Sequence, residues 1–165
     1  MPTVTLTRWF RPTGLLLLLI ALAGCEPQDR RPGLWLSGDV GGFPADVAFT
    51  DAHQEIAIEI RAPYGLPHSV TIWCARVGDQ LYVAAANPES KRWPDWADAR
   101  PEVRLKIGDR LFEAQLVRLD DAAEIAAVQQ AYVAKYDLDP SRSGPQLSRY
   151  WRVEPPADSA VSGLL

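Results

Sequence analysis

The chain has 165 residues, with 17 lysines and arginines against 21 aspartates and glutamates, a formal net charge of −4. That length suits one compact domain with a sizeable core. The acidic balance argues against nucleic acid as a partner, because phosphate backbones repel a surface of that sign.

Arg8 and Arg11 precede Gly14 to Ala23, ten residues without a charged or polar side chain, and Leu22-Ala23-Gly24-Cys25 closes the run. The stretch is well short of the roughly 20 residues that a membrane-spanning helix requires, so it reads as a processing signal. It resembles the lipobox of bacterial lipoproteins, in which the cysteine is acylated and the chain is cut just before it. The resemblance implies a signal peptide over residues 1–24, lipidation at Cys25, a polar, proline-bounded tether over residues 25–32, and a protein anchored by lipid in the cell membrane or outer membrane, facing the periplasm. Glu26, rather than aspartate, follows the cysteine and favours the outer membrane. Two or three acyl chains hold stably, since each buried methylene contributes about 0.8 kcal/mol and one chain is marginal. Loss of Arg8 and Arg11 leaves 15 basic and 21 acidic side chains, a balance of −6. With Cys25 acylated, Cys74 is the one thiol left and no internal disulfide can form.

The domain is expected over residues 33–154, followed by a tail at 155–165 rich in Pro, Ala and Ser. Residues 55–61 alternate, with Ile56, Ile58 and Ile60 on one face, which is the period of a half-buried strand. Residues 69–77 (SVTIWCARV) read as one strand, turned by Gly78-Asp79 into a partner at 80–86. Trp93 to Ala99 (WPDWADA) predicts a short helix, with Pro94 at a tolerated early position. A second hairpin joins 103–107 to 110–118 through Gly108-Asp109. Asp121 caps a longer helix, Glu124 completes a capping-box-like pair, and Ile125, Val128, Tyr132 and Tyr136 form a stripe that should lie on the sheet. A last strand at 147–153 follows a loop marked by Pro140, Gly144 and Pro145. The pattern predicts a β-rich α+β fold, a barrel or a sandwich with two helices.

This order of elements resembles the pyridoxamine 5'-phosphate oxidase-like split barrels. The words TIW, GDQLYV, SKRW and ARPEVRLKIGD resemble most the small proteins related to deazaflavin-dependent nitroreductases, over residues 51–136. The resemblance implies a split antiparallel β-barrel with one long and one short helix, which pairs as a homodimer. It also implies FMN or a deazaflavin, its phosphate held after the third strand by Asn87, Ser90, Lys91 and Arg92. A hydroxyl, an ammonium and a guanidinium suit a dianion; the alternative is a solvated turn. Trp73, Trp93 and Trp96 offer flat walls for a ring, or else Trp73 fills the barrel while Trp93 and Trp96 seat the short helix. Tyr64, His68 and Ser69, in a segment bent by Pro63, Gly65 and Pro67, are candidates for an active-site rim or a plain strand connection.

Ala84-Ala85-Ala86 departs from the polar or basic residue that many cofactor-binding relatives carry there, and Arg76, two residues past Cys74 on the same strand face, could substitute only if that face opens on the groove. His53 and His68 lack ligand-spaced partners, so no metal site is expected, although some split barrels bind haem through a histidine. Cys74 lies in an apolar strand, where burial makes a thiol inert. Two functions follow: an oxidoreductase-like protein binding flavin or deazaflavin, or a cofactor-free lipoprotein acting as a binding or structural module. Fold alone does not choose between them.

Overall fold

The computed structural model describes residues 33–139 and 148–157. The expected signal peptide, Cys25, the tether at 25–32, the loop marked by Pro140, Gly144 and Pro145, and most of the tail lie outside the described residues.

Alternation of apolar side chains builds one sheet of eight strands. In chain order these are β1 (Val40–Gly41), β2 (Ile56–Arg61), β3 (Pro67–Ile72), β4 (Cys74–Val77), β5 (Gln80–Ala86), β6 (Glu102–Ile107), β7 (Arg110–Arg118) and β8 (Ser148–Glu154). The hydrogen-bonded path runs β3-β2-β6-β7-β8-β5-β4, antiparallel throughout, and β1 pairs in parallel with β7. The two edge strands of that path, β3 and β4, are consecutive in the chain. The sheet therefore curls until its edges meet, and the result is the split barrel with one long and one short helix.

Inside the barrel, Ile56, Ile58 and Ile60 of β2 meet Val103, Leu105 and Ile107 of β6, Phe112, Ala114 and Leu116 of β7, and Trp151 and Val153 of β8. A second core lies outside it, where Tyr82 of β5, Ala75 of β4 and Tyr150 of β8 are covered by Val128 and Tyr132 of the long helix. Thus β4, β5 and β8 are buried on both faces, whereas β6 alternates buried Val103, Leu105 and Ile107 with more open Arg104 and Lys106. The short helix α1 (Trp93–Ala99) buries Trp93 and Ala97 in the inner core.

The long helix α2 (Ala122–Tyr136) begins at Asp121, whose carboxylate accepts the Glu124 backbone N–H at 2.7 Å. The Glu124 side chain does not close the reciprocal half of the expected box. Its carboxylate instead accepts from the Tyr82 hydroxyl and the Arg152 guanidinium, each at 2.9 Å. The Arg152 guanidinium brings a full opposite charge to the carboxylate, which a backbone amide does not. Burial, followed by the Glu124 carboxylate, pushes the Tyr82 phenol up to about 12.

Residues 69–77, expected as one strand, are divided at Trp73. β3 belongs to the β2 ladder and β4 to the β5 ladder, so the chain must leave one edge for the other there, and its backbone groups lose their ladder partners. The tyrosines of α2 replace them. Tyr132 donates to the Trp73 carbonyl at 3.0 Å, while the Tyr136 hydroxyl accepts the Cys74 N–H at 3.1 Å and lies 2.8 Å from the carbonyls of both Cys74 and Gln54. The Trp73 ring stacks on Tyr136 at 4.4 Å, nearly parallel. Trp73 therefore stands outside the barrel with 36% of its surface exposed, and fully buried Trp151 and Phe112 do the filling expected of it. Burial raises both phenols, so each hydroxyl keeps its proton.

Replacing Tyr136 by Phe keeps the stacked ring and removes the clamp. Urea unfolding should show a loss of about 1–3 kcal/mol, the cost of orphaned buried polar groups. A variant as stable as the parent would mean that the hydroxyl does not hold the strand switch.

Candidate functional site

The corner after β5 is a compact turn. Asn87 adopts the left-handed region (φ 49°), which its short polar side chain tolerates, and Pro88–Ser90 forms one 3-10 turn. The Ser90 hydroxyl donates to the Asn87 carbonyl at 2.8 Å, and the Lys91 ammonium donates to the Ala86 carbonyl at 2.5 Å. Arg92 then leads into α1. Asn87, Ser90, Lys91 and Arg92 are all exposed, so the structure brings the four sequence-predicted residues to one solvent-facing corner. Two of them also serve as struts of the turn.

One helical turn further on, the face of α1 is aromatic. The Trp96 ring stands edge-on to His68 at 5.1 Å and to Tyr64 at 5.8 Å, while Trp93 turns inward against Trp151 at 5.2 Å. Trp93 and Trp96 thus seat the short helix. Tyr64 is 61% exposed. Partial burial lowers the pKa of His68.

Ser69 is not on this rim. Strand alternation turns its side chain away from that of His68, and it is fully buried, its hydroxyl without a hydrogen-bond partner among the described residues, where Gly33 bridges the outer edge of β3. Trp73 is likewise engaged elsewhere, against Tyr136. Arg76 is held by Asp51 at 2.6 Å and by the Gly78 carbonyl at 2.6 Å, and the bonded guanidinium keeps the Asp51 carboxyl below its usual range. It supplies no second cation to the corner.

Sequence reasoning missed a polar network at the other face of α1. Asp98 accepts the Trp151 indole N–H at 2.7 Å, Arg118 at 2.7 Å and Arg149 at 3.1 Å, and Arg149 also reaches Asp95 at 2.7 Å. Asp98, Arg118 and Trp151 line, together with Ala97 and Leu116, a cavity of about 190 Å³. Asp95 and Asp98, three apart on one helical face, were the visible signal; their partners lie far off in sequence. Cys74 is buried, which pushes its thiol up, and the Lys135 ammonium lies 3.5 Å from its sulfur while donating to the Thr50 carbonyl at 3.0 Å.

With this geometry established, comparison with known proteins places the chain. Residues 46–153 match the family model described as "Uncharacterized protein conserved in bacteria (DUF2255)". The chain belongs to the DUF2255 family. No curated protein matches it. Among solved structures, this DUF2255 chain is similar to HutZ, the heme storage protein of Vibrio cholerae, at 14% identity and a TM-score of 0.55, over 66% of this chain and 85% of that one. It is also similar to a putative pyridoxamine 5'-phosphate oxidase of Listeria innocua, at 11% identity and a TM-score of 0.52, over 66% and 89% of the two chains. A third is a putative 5-nitroimidazole antibiotic resistance protein of Bacteroides thetaiotaomicron, at 12% identity and a TM-score of 0.50, over 79% and 90%. At such identities the likeness shows the fold, the pyridoxamine 5'-phosphate oxidase-like split barrel.

His68 yields a pH prediction with a definite sign. Its folded pKa lies below the ordinary 6.5, so the unfolded chain binds the proton more readily. Stability from this group is present above 6.5 and is lost as pH falls from there toward the folded value. The urea midpoint should drop between pH 7.5 and pH 5.5 by less in His68→Phe than in the parent. Equal drops would show that His68 is not a source of acid sensitivity.

Proposed function

We propose that this protein is a lipid-anchored component of the cell envelope whose split barrel binds a phosphorylated planar ligand of the flavin or deazaflavin class at the α1 corner. The observation that supports this is the juxtaposition along one short helix: exposed Lys91 and Arg92 at its start, and the Trp96–His68–Tyr64 cluster one turn later. The bonds that Ser90 and Lys91 make to turn carbonyls are exposed, and such bonds exchange readily for a charged partner. In this reading Lys91 and Arg92 hold the phosphate, and Trp96 with His68 lies along the ring. When bound, the ligand supplies hydride chemistry, and the chain binds and orients it.

The lipid anchor rests on the Leu22-Ala23-Gly24-Cys25 pattern and its flanks. Substituting Cys25 by Ser should release the protein from membranes; continued sedimentation with them would count against acylation.

The cofactor-free reading also has an observation in its favour, since the Ser90 hydroxyl and the Lys91 ammonium already satisfy backbone carbonyls. Titrating the purified acylated protein with FMN, and separately with a deazaflavin, separates the two. Our reading expects a retained chromophore, quenched tryptophan emission, and affinity at least tenfold weaker in Lys91→Ala/Arg92→Ala, since a charge-assisted hydrogen bond is worth about 1.5–3 kcal/mol and about 1.4 kcal/mol is tenfold. No binding of either compound would leave the barrel as a cofactor-free module, and unchanged affinity in the double variant would misplace the phosphate site.

A further inference from the structure

The turn between β2 and β3 presents apolar surface to solvent although the core is well filled. Its backbone is fixed, with the Ala62 N–H donating to the Leu66 carbonyl at 3.0 Å and the Gly65 N–H to the Ala62 carbonyl at 2.9 Å. Gly65 takes φ +86°, a conformation that side chains rarely adopt. This frame holds out Tyr64, 61% exposed, and Leu66, 57% exposed. Exposed Arg61 precedes the turn, and the Arg100 guanidinium from the end of α1 reaches the Ala62 carbonyl at 3.4 Å. One acid, exposed Glu102 at the start of β6, stands next to Val103, which pairs with Ile60 just before Arg61. The tip is thus an aromatic and an aliphatic side chain among two guanidiniums and one carboxylate, on a protein that is acidic as a whole.

The described chain starts beside this tip. Gly33 exchanges both backbone hydrogen bonds with Ser69 of β3, three residues beyond Leu66 of the turn, a separation of about 10 Å at 3.3 Å per residue. Eight residues lead from Cys25 to Gly33, and a fully extended chain of that length spans at most about 28 Å. A lipid on Cys25 therefore keeps Gly33, and the β3 edge it pairs with, within about 28 Å of the acylated residue.

We infer that the β2–β3 turn is the membrane-facing tip of the barrel, with Leu66 and the Tyr64 ring entering the headgroup region of the leaflet that holds the acyl chains. This inference rests on the lipid-anchor part of the function proposed above, and it shares Tyr64 with the aromatic cluster of the proposed ligand site. The chemistry is that of an interfacial contact. Tyr64 has an apolar body and a polar hydroxyl, Leu66 is apolar, and the Arg61 and Arg100 stems can lie along apolar surface with their charges at the phosphates. The Gly108-Asp109 turn, at the opposite end of β6, points away from the bilayer in this orientation.

The test uses the acylated protein in vesicles of phosphatidylethanolamine and phosphatidylglycerol, with an environment-sensitive dye on Leu66→Cys or, for comparison, on Asp109→Cys; Cys74 is buried and out of reach of the label. Emission from the Leu66→Cys label should shift to the blue on vesicle binding and be quenched by brominated acyl chains, while the Asp109→Cys label is unchanged. Protein that sediments with vesicles but gives the same watery emission from both labels would overturn the membrane-facing tip and leave the anchor standing. Acylated protein that stays in the supernatant would overturn the anchor, and this orientation with it.

Discussion

Two phenol hydroxyls hold the place where this barrel closes. A sheet whose edge strands are consecutive in the chain has to break its ladder at one residue, and here that residue is Trp73. Tyr132 donates to the Trp73 carbonyl and the Tyr136 hydroxyl meets both backbone groups of Cys74, and the Trp73 and Tyr136 rings stack at the same switch. Each such bond contributes only about 0.5–1.5 kcal/mol net, but an unmade buried one costs more. That asymmetry couples α2 to the barrel. Without the helix the edges lose their clamp, and without the edges the tyrosines lose their partners.

The rest of the molecule follows from the closure. Curling the sheet makes an inside, filled by the alternating isoleucines, leucines and valines around Trp151 and Phe112, and an outside, which α2 covers over β4, β5 and β8. It also leaves an open end that α1 stoppers with Trp93 and Ala97. Because α1 uses one side to plug the barrel, its remaining surfaces are available to other partners. One carries Trp96 against His68 and Tyr64; another engages Asp95 and Asp98 with Arg149, Arg118 and Trp151. The candidate site is thus assembled around a structural plug.

Much of this was legible in the residues. The period-2 alternation of Ile56, Ile58 and Ile60, the Gly78-Asp79 and Gly108-Asp109 turns, the Asp121 cap and the WPDWADA helix are local signals, and the structure carries each of them. Long-range pairing was less visible. SVTIWCARV reads as one strand because its composition is uniformly strand-forming, and only the pairing of its two halves with different partners shows the break at Trp73. Glu124 sits where a capping box wants it, yet Arg152 and Tyr82, distant in sequence, draw its carboxylate away. The four residues of the basic corner are contiguous and could be grouped from sequence. Tyr64 and His68 pack on Trp96, one helical turn along α1 from Arg92, whereas strand alternation turns the Ser69 side chain to the other face from His68.

The account as a whole depends on α2 holding the strand switch, and the Cys74 amide reports on it directly. Native-state hydrogen exchange should find that this amide opens only with the global unfolding that releases the β6 and β7 amides of Leu105 and Phe112. Rapid exchange at Cys74 while Leu105 and Phe112 stay protected would show that the barrel closes without the tyrosine clamp, and would contradict the account at its base.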